Sequence, residues 1–83
     1  MGKIPNDIIK KKREEFKKEY ENGYNQGIKD IDAMSPAEIE SVSKADNERA
    51  QELFYDRHDN MEASNKYIEG WQHAIIDTYG KID

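Results

Sequence analysis

Apolar side chains recur at helical spacing along the first third of the chain. Ile9, Phe16, Tyr20, Tyr24, Ile28 and Ile31 fall close to one stripe. The intervening Lys10-Lys11-Lys12-Arg13-Glu14-Glu15 is helix-compatible and sets Lys10 against Glu14 and Lys11 against Glu15 at four-residue spacing. Pro5 suits a first turn, where no backbone donor is needed, and Asp7 suits the positive end of the helix dipole. These positions predict a helix over about 5–32. Ala33-Met34 then makes a short connection. Ser35-Pro36-Ala37-Glu38 is a start signal, with Ser as N-cap, Pro in the first turn and Glu reaching back. Ile39 and Val42 supply the buried side of a short helix over 36–42.

From Lys44 to about Tyr79 there is no Pro. Residues 44–52 hold no apolar side chain larger than Ala, so that stretch is polar on every side. Leu53, Met61, Ile68, Trp71 and Ile75 fit a single helix over 44–79, and that reading is favoured. Two signals argue for interruptions: Ser43-Lys44-Ala45-Asp46 offers a further start, and Asp59-Asn60-Met61-Glu62 a capping pattern with a break near 58–60. Gly80 is a natural stop. The expected fold is a single all-α domain over 1–83, a small helical hairpin or three-helix domain.

One pattern occurs twice, 47 residues apart. Tyr20-x-x-Gly23-Tyr24-x-x-Gly27-Ile28-x-Asp30 matches Tyr67-x-x-Gly70-Trp71-x-x-Ala74-Ile75-x-Asp77. Offsets of three, four, seven and eight share one helical face, so each copy builds an aromatic-edged groove of small residues. A glycine inside a helix costs roughly 0.8–1.0 kcal/mol against Ala, about 3 kcal/mol for Gly23, Gly27 and Gly70 together. Such a loss is offset where two backbones approach closely. The expectation is that the first and last helices cross antiparallel at these grooves, with Trp71 and the Tyr rings on the flanks. A dimer interface on the same grooves is the alternative.

Composition changes this picture in two ways. Charged residues are 37% of the chain and hydrophobic ones 35%, a balance that leans toward disorder; eight aromatics and the periodicity at both ends favour a folded helical protein. A chain of 83 residues buries only roughly 60–65% of the surface its unfolded form exposes, so the core is thin and oligomerisation would add to it. There is no Cys, hence no disulfide and no thiolate metal site. No apolar run follows Met1 and no stretch could span a bilayer, so the expected compartment is the cytosol. The net charge of −5 is unevenly spread. Residues 1–29 hold eight Lys/Arg against five Asp/Glu, and residues 30–83 hold five against thirteen.

Little catalytic chemistry is visible. Glu69, His73 and Asp77 share one helix edge, as do His58 and Glu62. The Glu-x-x-His spacing of di-metal bundles is missing, so a solvated edge is the better reading and no metal or cofactor is expected. No Ser-His-Asp set, phosphate loop or H-E-x-x-H helix occurs, and enzymatic activity is not expected. Lys10–Arg13 with Lys17 and Lys18 could touch phosphates, but interleaved carboxylates disfavour direct nucleic-acid binding. The acidic series Asp46, Glu48, Glu52, Asp56, Asp59 and Glu62 is the candidate partner surface, with Phe54 and Tyr55 as anchors. Charge complementarity would direct it to a basic groove on a host protein.

In size, acidity and absence of Cys the chain is similar to small accessory proteins of phages and mobile elements. The likeness is one of type and carries over no residues. It implies a non-enzymatic inhibitor of anti-defence, anti-CRISPR or anti-restriction type, acting in the host cytosol. Two other readings stand beside it: a self-assembling helical protein whose aromatic and Gly stripes form the oligomer, and a small-ligand binder, for a nucleotide for example, using Tyr and Trp rings between subunits with Lys10–Arg13 nearby.

Overall fold

A computed structural model describes the backbone of residues 6–80 and the side chains of residues 13–80. Four helices follow in order: α1 Asn6–Ile31, α2 Pro36–Lys44, α3 Asn47–Arg57 and α4 Asn65–Tyr79. The described residues contain no strand, so the all-α class holds. None of their helices is long and apolar enough to cross a membrane. Pro5 and the side chains of Asp7 and of Ile9–Lys12, including the expected pairs to Glu14 and Glu15, lie outside the described residues.

The start signal at Ser35 acts in part as its sequence implies: Ser35 Oγ accepts from the Glu38 amide at 3.2 Å and Pro36 opens α2, but the Glu38 carboxylate, expected to reach back, turns instead to Arg57 of α3 at 2.6 Å. The long helix over 44–79, by contrast, is two helices. Asp46 is an N-cap, its carboxylate accepting from the Arg49 amide at 2.8 Å, and α3 starts there. At His58 the backbone leaves the helix (φ −130°, ψ 67°), while its ring is drawn sideways to Asp30 of α1. The real start of α4 is Ser64, whose Oγ accepts from the Tyr67 amide and donates to Glu19 at 2.9 Å. Asp59-Asn60, which resembled a cap, forms a turn instead. The apolar rhythm from Leu53 to Ile75 fits a continuous helix, but a straight rod could not fold its two ends onto one core.

The terminal helices do pack through their glycines. A Cβ placed on Gly23 would lie 1.8 Å from the Tyr67 carbonyl oxygen, one on Gly27 2.4 Å from that of Trp71, and one on Gly70 2.1 Å from that of Tyr20. The direction, however, is parallel. Ser64 meets Glu19, Tyr67 meets Gly23 and Trp71 meets Gly27, so both helices advance together. A short connection would force antiparallel packing, whereas a long one permits either sense; here α2, α3 and the loop before Ser64 carry the chain back to the level of Glu19 before α4 begins.

The repeat makes this pair a pseudo-two-fold. Gly23 faces Tyr67, and its counterpart Gly70 faces Tyr20. Tyr24 donates to Asp77 at 2.8 Å, and its counterpart Trp71 donates to Asp30 at 2.8 Å. The two edges of the pair differ in what covers them. On one edge Trp71 and Ile75 are completely buried, and Phe54 of α3 meets Trp71 edge-on at 5.1 Å between centroids. On the other, Tyr24 is only partly covered and Ile28 is 45% exposed.

The core is Ile31, Ile39, Val42, Ala50, Phe54, Ile68, Trp71 and Ile75. Helix α4 is its axis, packing on α1, α2 and α3. Buried Gln72 of α4 donates to the carbonyls of Val42 and Ala45, at 3.0 and 2.8 Å, tying α4 to the end of α2, where the Val42 carbonyl also accepts from the Ala45 amide at 3.2 Å. The molecule extends 55 Å along its long axis but only 28 and 20 Å across. Much of that length is α1, whose residues before Glu19 run past the start of α4; the described side chains there, Arg13–Lys18, are all exposed.

Candidate functional site

Helix α3 carries the acidic series, and its helical geometry sorts the residues. Ala50 and Phe54 point inward and are buried. Glu48, Glu52 and Asp56 step at four-residue intervals along the opposite, exposed side, with Tyr55 beside them. The helix is fastened at several points. Arg57 pairs with Glu38 of α2 at 2.6 Å, Gln51 donates to Asn65 of α4 at 2.8 Å, and the Tyr55 hydroxyl donates to the Ala63 carbonyl at 3.1 Å. An open groove of about 460 Å³ lies between α2 and α3, with Met34, Val42 and Leu53 on its floor and Glu38, Asp56 and Arg57 on its rim.

The eight residues of the candidate surface therefore separate. Glu48, Glu52, Tyr55 and Asp56 share the outer side of α3. Asp46 is exposed but is committed to its N-cap. Asp59 and Glu62 are exposed in the loop after α3, so the continuous acidic rod over 44–62 is replaced by an eleven-residue helix and a turn. Phe54 is a correction: its ring is fully buried among Tyr67, Trp71 and His58 and cannot anchor a partner. Adjacent residues on a helix point about 100° apart, so only one of Phe54 and Tyr55 can face outward. Phe54→Ala should lower stability by about 3–5 kcal/mol. Tyr55→Ala, which loses the Ala63 bond and an edge contact with Phe54 but empties no buried site, should cost less, about 1–2 kcal/mol, as chemical denaturation would measure.

The second set, assigned to helix packing or an oligomer, is mostly internal. Gly23, Gly27, Gly70, Trp71, Ala74 and Ile75 are buried, and Tyr20, Tyr24 and Tyr67 are partly so. Ile28 departs from the set and faces solvent. With the glycines consumed inside the chain, the grooves themselves are not free to form a dimer. Trp71, at 0% exposure, is likewise closed to a stacking ligand.

The sequence reading missed the polar centre of the fold. Asp30, itself buried, accepts from His58 Nε2 at 2.6 Å and Trp71 Nε1 at 2.8 Å through one oxygen, and from Gln26 at 2.9 Å through the other. Burial pushes its pKa up, but hydrogen bonds from His58, Trp71 and Gln26, with the nearby imidazole, outweigh burial and hold the carboxyl below its ordinary range. A usable signal existed: a carboxylate in the last turn of a helix opposes the dipole, so it needs a specific partner. Its counterpart Asp77 is exposed and accepts from Tyr24. That bond, followed by burial and the Asp77 charge, raises the Tyr24 pKa. Burial first, then Asp77 and Glu69, raises that of Tyr20, which pairs with His73 Nδ1 at 2.8 Å.

Both imidazoles and Asp77 are thus held in protein contacts. Among the described residues no three His, Asp or Glu side chains are grouped so as to hold a metal ion.

No family model, no curated protein and no solved structure matches this chain.

Proposed function

We propose that the chain is a non-enzymatic protein-binding module that engages a basic, nucleic-acid-binding surface of a host protein through the outer side of α3. Its type is that of a small phage or mobile-element inhibitor, of anti-defence, anti-CRISPR or anti-restriction kind, acting in the host cytosol. The observation that carries this reading is the exposed row Glu48–Glu52–Asp56 beside Tyr55, on a helix fastened to α2 and α4. Carboxylates at such spacing mimic a line of phosphates, and a helix fastened at its middle and its C-terminal end presents them without a large ordering cost. Arg49 pairs with Glu52 at 2.8 Å, but both side chains are more than half exposed, so a partner's cation can compete for that carboxylate. The groove between α2 and α3 adds apolar area next to Asp56, fitting a partner that places a hydrophobic side chain beside its Lys or Arg.

Charge reversal tests this directly. Glu48→Lys, Glu52→Lys and Asp56→Lys together leave the core untouched, so helicity and mass should stay the same. Capture of a basic host protein should be strong at low salt, weaken steeply as salt rises, and vanish in the triple variant. Undiminished capture by that variant would end the proposal.

A further inference from the structure

The uncovered edge of the pseudo-two-fold pair is the most unusual surface of the molecule. Phe16, Tyr20, Tyr24 and Ile28 follow one another at four-residue spacing along α1. Phe16 is 50% exposed and Ile28 45%, while the two Tyr rings between them are half-covered. The two Tyr side chains, with Glu21 and Asn25, line a shallow hollow of about 440 Å³. The equivalent positions on the second repeat are not left open. There, α3 lays the Phe54 ring against Trp71 and the His58 imidazole against Asp30, an aromatic and a nitrogen donor one helical turn apart. The open edge offers the matching groups, Tyr24 and the carboxylate of Asp77.

We propose that a second copy of this chain covers that edge, with the two α1 helices packed antiparallel about a two-fold axis near Tyr20. Charge complementarity selects this occupant. The stretch of α1 that runs past α4 presents Arg13 and Lys17 on the side of the exposed Phe16 that continues the stripe, with Glu14, Glu15 and Lys18 on the remaining sides of the helix, whereas the edge it would cover carries Glu21 and Asp77. In the antiparallel register Phe16 of one copy falls against Tyr24 of the other. The Tyr20 rings meet at the axis, and Lys17 falls two residues, about 3 Å along the helix, from the level of Glu21, within reach of its long side chain, each contact occurring twice. A parallel pairing would oppose like charges instead. The interface continues the stripe that already packs on α4, so the dimer extends the core along α1 without disturbing the glycine contacts. Because a two-fold arrangement closes on itself, the product is a dimer and not a fibre.

The outer side of α3 takes no part, so this proposal stands apart from partner capture. Sedimentation of the full chain over a concentration series tests it. The native protein should reach twice its 9.7 kDa mass. Phe16→Glu should leave a monomer with unchanged helicity and unchanged partner capture. Lys17→Glu and Glu21→Lys should each weaken the dimer, and the two combined in one chain should restore it, because the pair is remade with its signs exchanged. A native monomer at every concentration, a dimer indifferent to Phe16→Glu, failure of the combined variant to recover, or open-ended polymers would each overturn the antiparallel α1 dimer. A dimer that survives while charge reversal on α3 leaves capture intact would remove only the earlier proposal.

Discussion

Gly23→Ala and Gly70→Ala should each unfold the protein or bring it close to unfolding, although both replace the second-poorest helix former with the best. Helix propensity alone would have each change stabilise by about 1 kcal/mol. The added methyl group, however, would sit 1.8 Å from the Tyr67 carbonyl oxygen in one case and 2.1 Å from that of Tyr20 in the other. Backbone cannot move aside as a side-chain tip can, so the two helices must separate along their whole contact. Overpacking of this kind costs about 3 kcal/mol or more. That is a large share of the roughly 4–12 kcal/mol expected for a chain of this size. A fall of roughly 10–20 °C in Tm would follow. Gly80 is the internal control: a Cβ there meets nothing closer than 3.7 Å, and its φ of −65° suits any residue. Gly80→Ala should leave Tm within a few degrees. Calorimetry on the three variants separates close packing from propensity by the sign of the change.

Asp30→Ala should be nearly as damaging, and in a pH-dependent way. The carboxylate holds α4 through Trp71 and the end of α3 through His58. Removing it leaves the indole N–H buried without a partner and releases His58. The loss is about 3 kcal/mol. Asp77→Ala removes the corresponding acceptor on the open edge, where water can replace it, and should cost less than about 1 kcal/mol. The pH dependence follows from the depressed pKa of Asp30. A group whose folded pKa lies below its unfolded value stabilises the fold at pH above the unfolded value, here 3.8, and loses that contribution as pH falls through the folded value. The stability gap between the native chain and Asp30→Ala should therefore be widest near neutral pH and shrink in acid. Urea titrations of both proteins over that range measure it.

Much of the fold was written in short-range signals. Ser35 with Glu38, the glycine spacing of the repeat and the stop at Gly80 each depend on residues within one or two helical turns, where backbone geometry leaves few alternatives. The direction of the α1–α4 pair was not legible, because a stripe of small residues specifies contact and closeness but is indifferent to the sense in which the helices run. The sense depends on the return path, and that path turned on two weak caps, Asp46 and Ser64. The first was visible as an alternative start. The second was hidden beside the stronger-looking Asp59-Asn60. The candidate site was half legible. Glu48, Glu52 and Asp56 share a face by spacing alone, but Phe54 and Tyr55 are neighbours of similar character. Only the positions of Trp71 and Tyr67 decide which ring the core takes. The Asp30 network joins three helices; its local marks are only the place of the carboxylate in the last turn of α1 and in the repeat, and neither names His58 or Trp71 as its partner.

The most direct measurement of the parallel pair uses the absence of cysteine in the native chain. Single cysteines introduced at Glu19 and Asn65, or at Glu19 and Tyr79, carry spin labels whose separation is read by pulsed electron resonance on singly diluted chains. Helix α4 spans about 20 Å between the two second positions. Running parallel, it should place the label at residue 65 much nearer to residue 19 than the label at residue 79. The reverse order would mean that the helices pass in opposite senses, and the pseudo-two-fold, the buried Asp30 and the outward setting of α3 would all have to be abandoned.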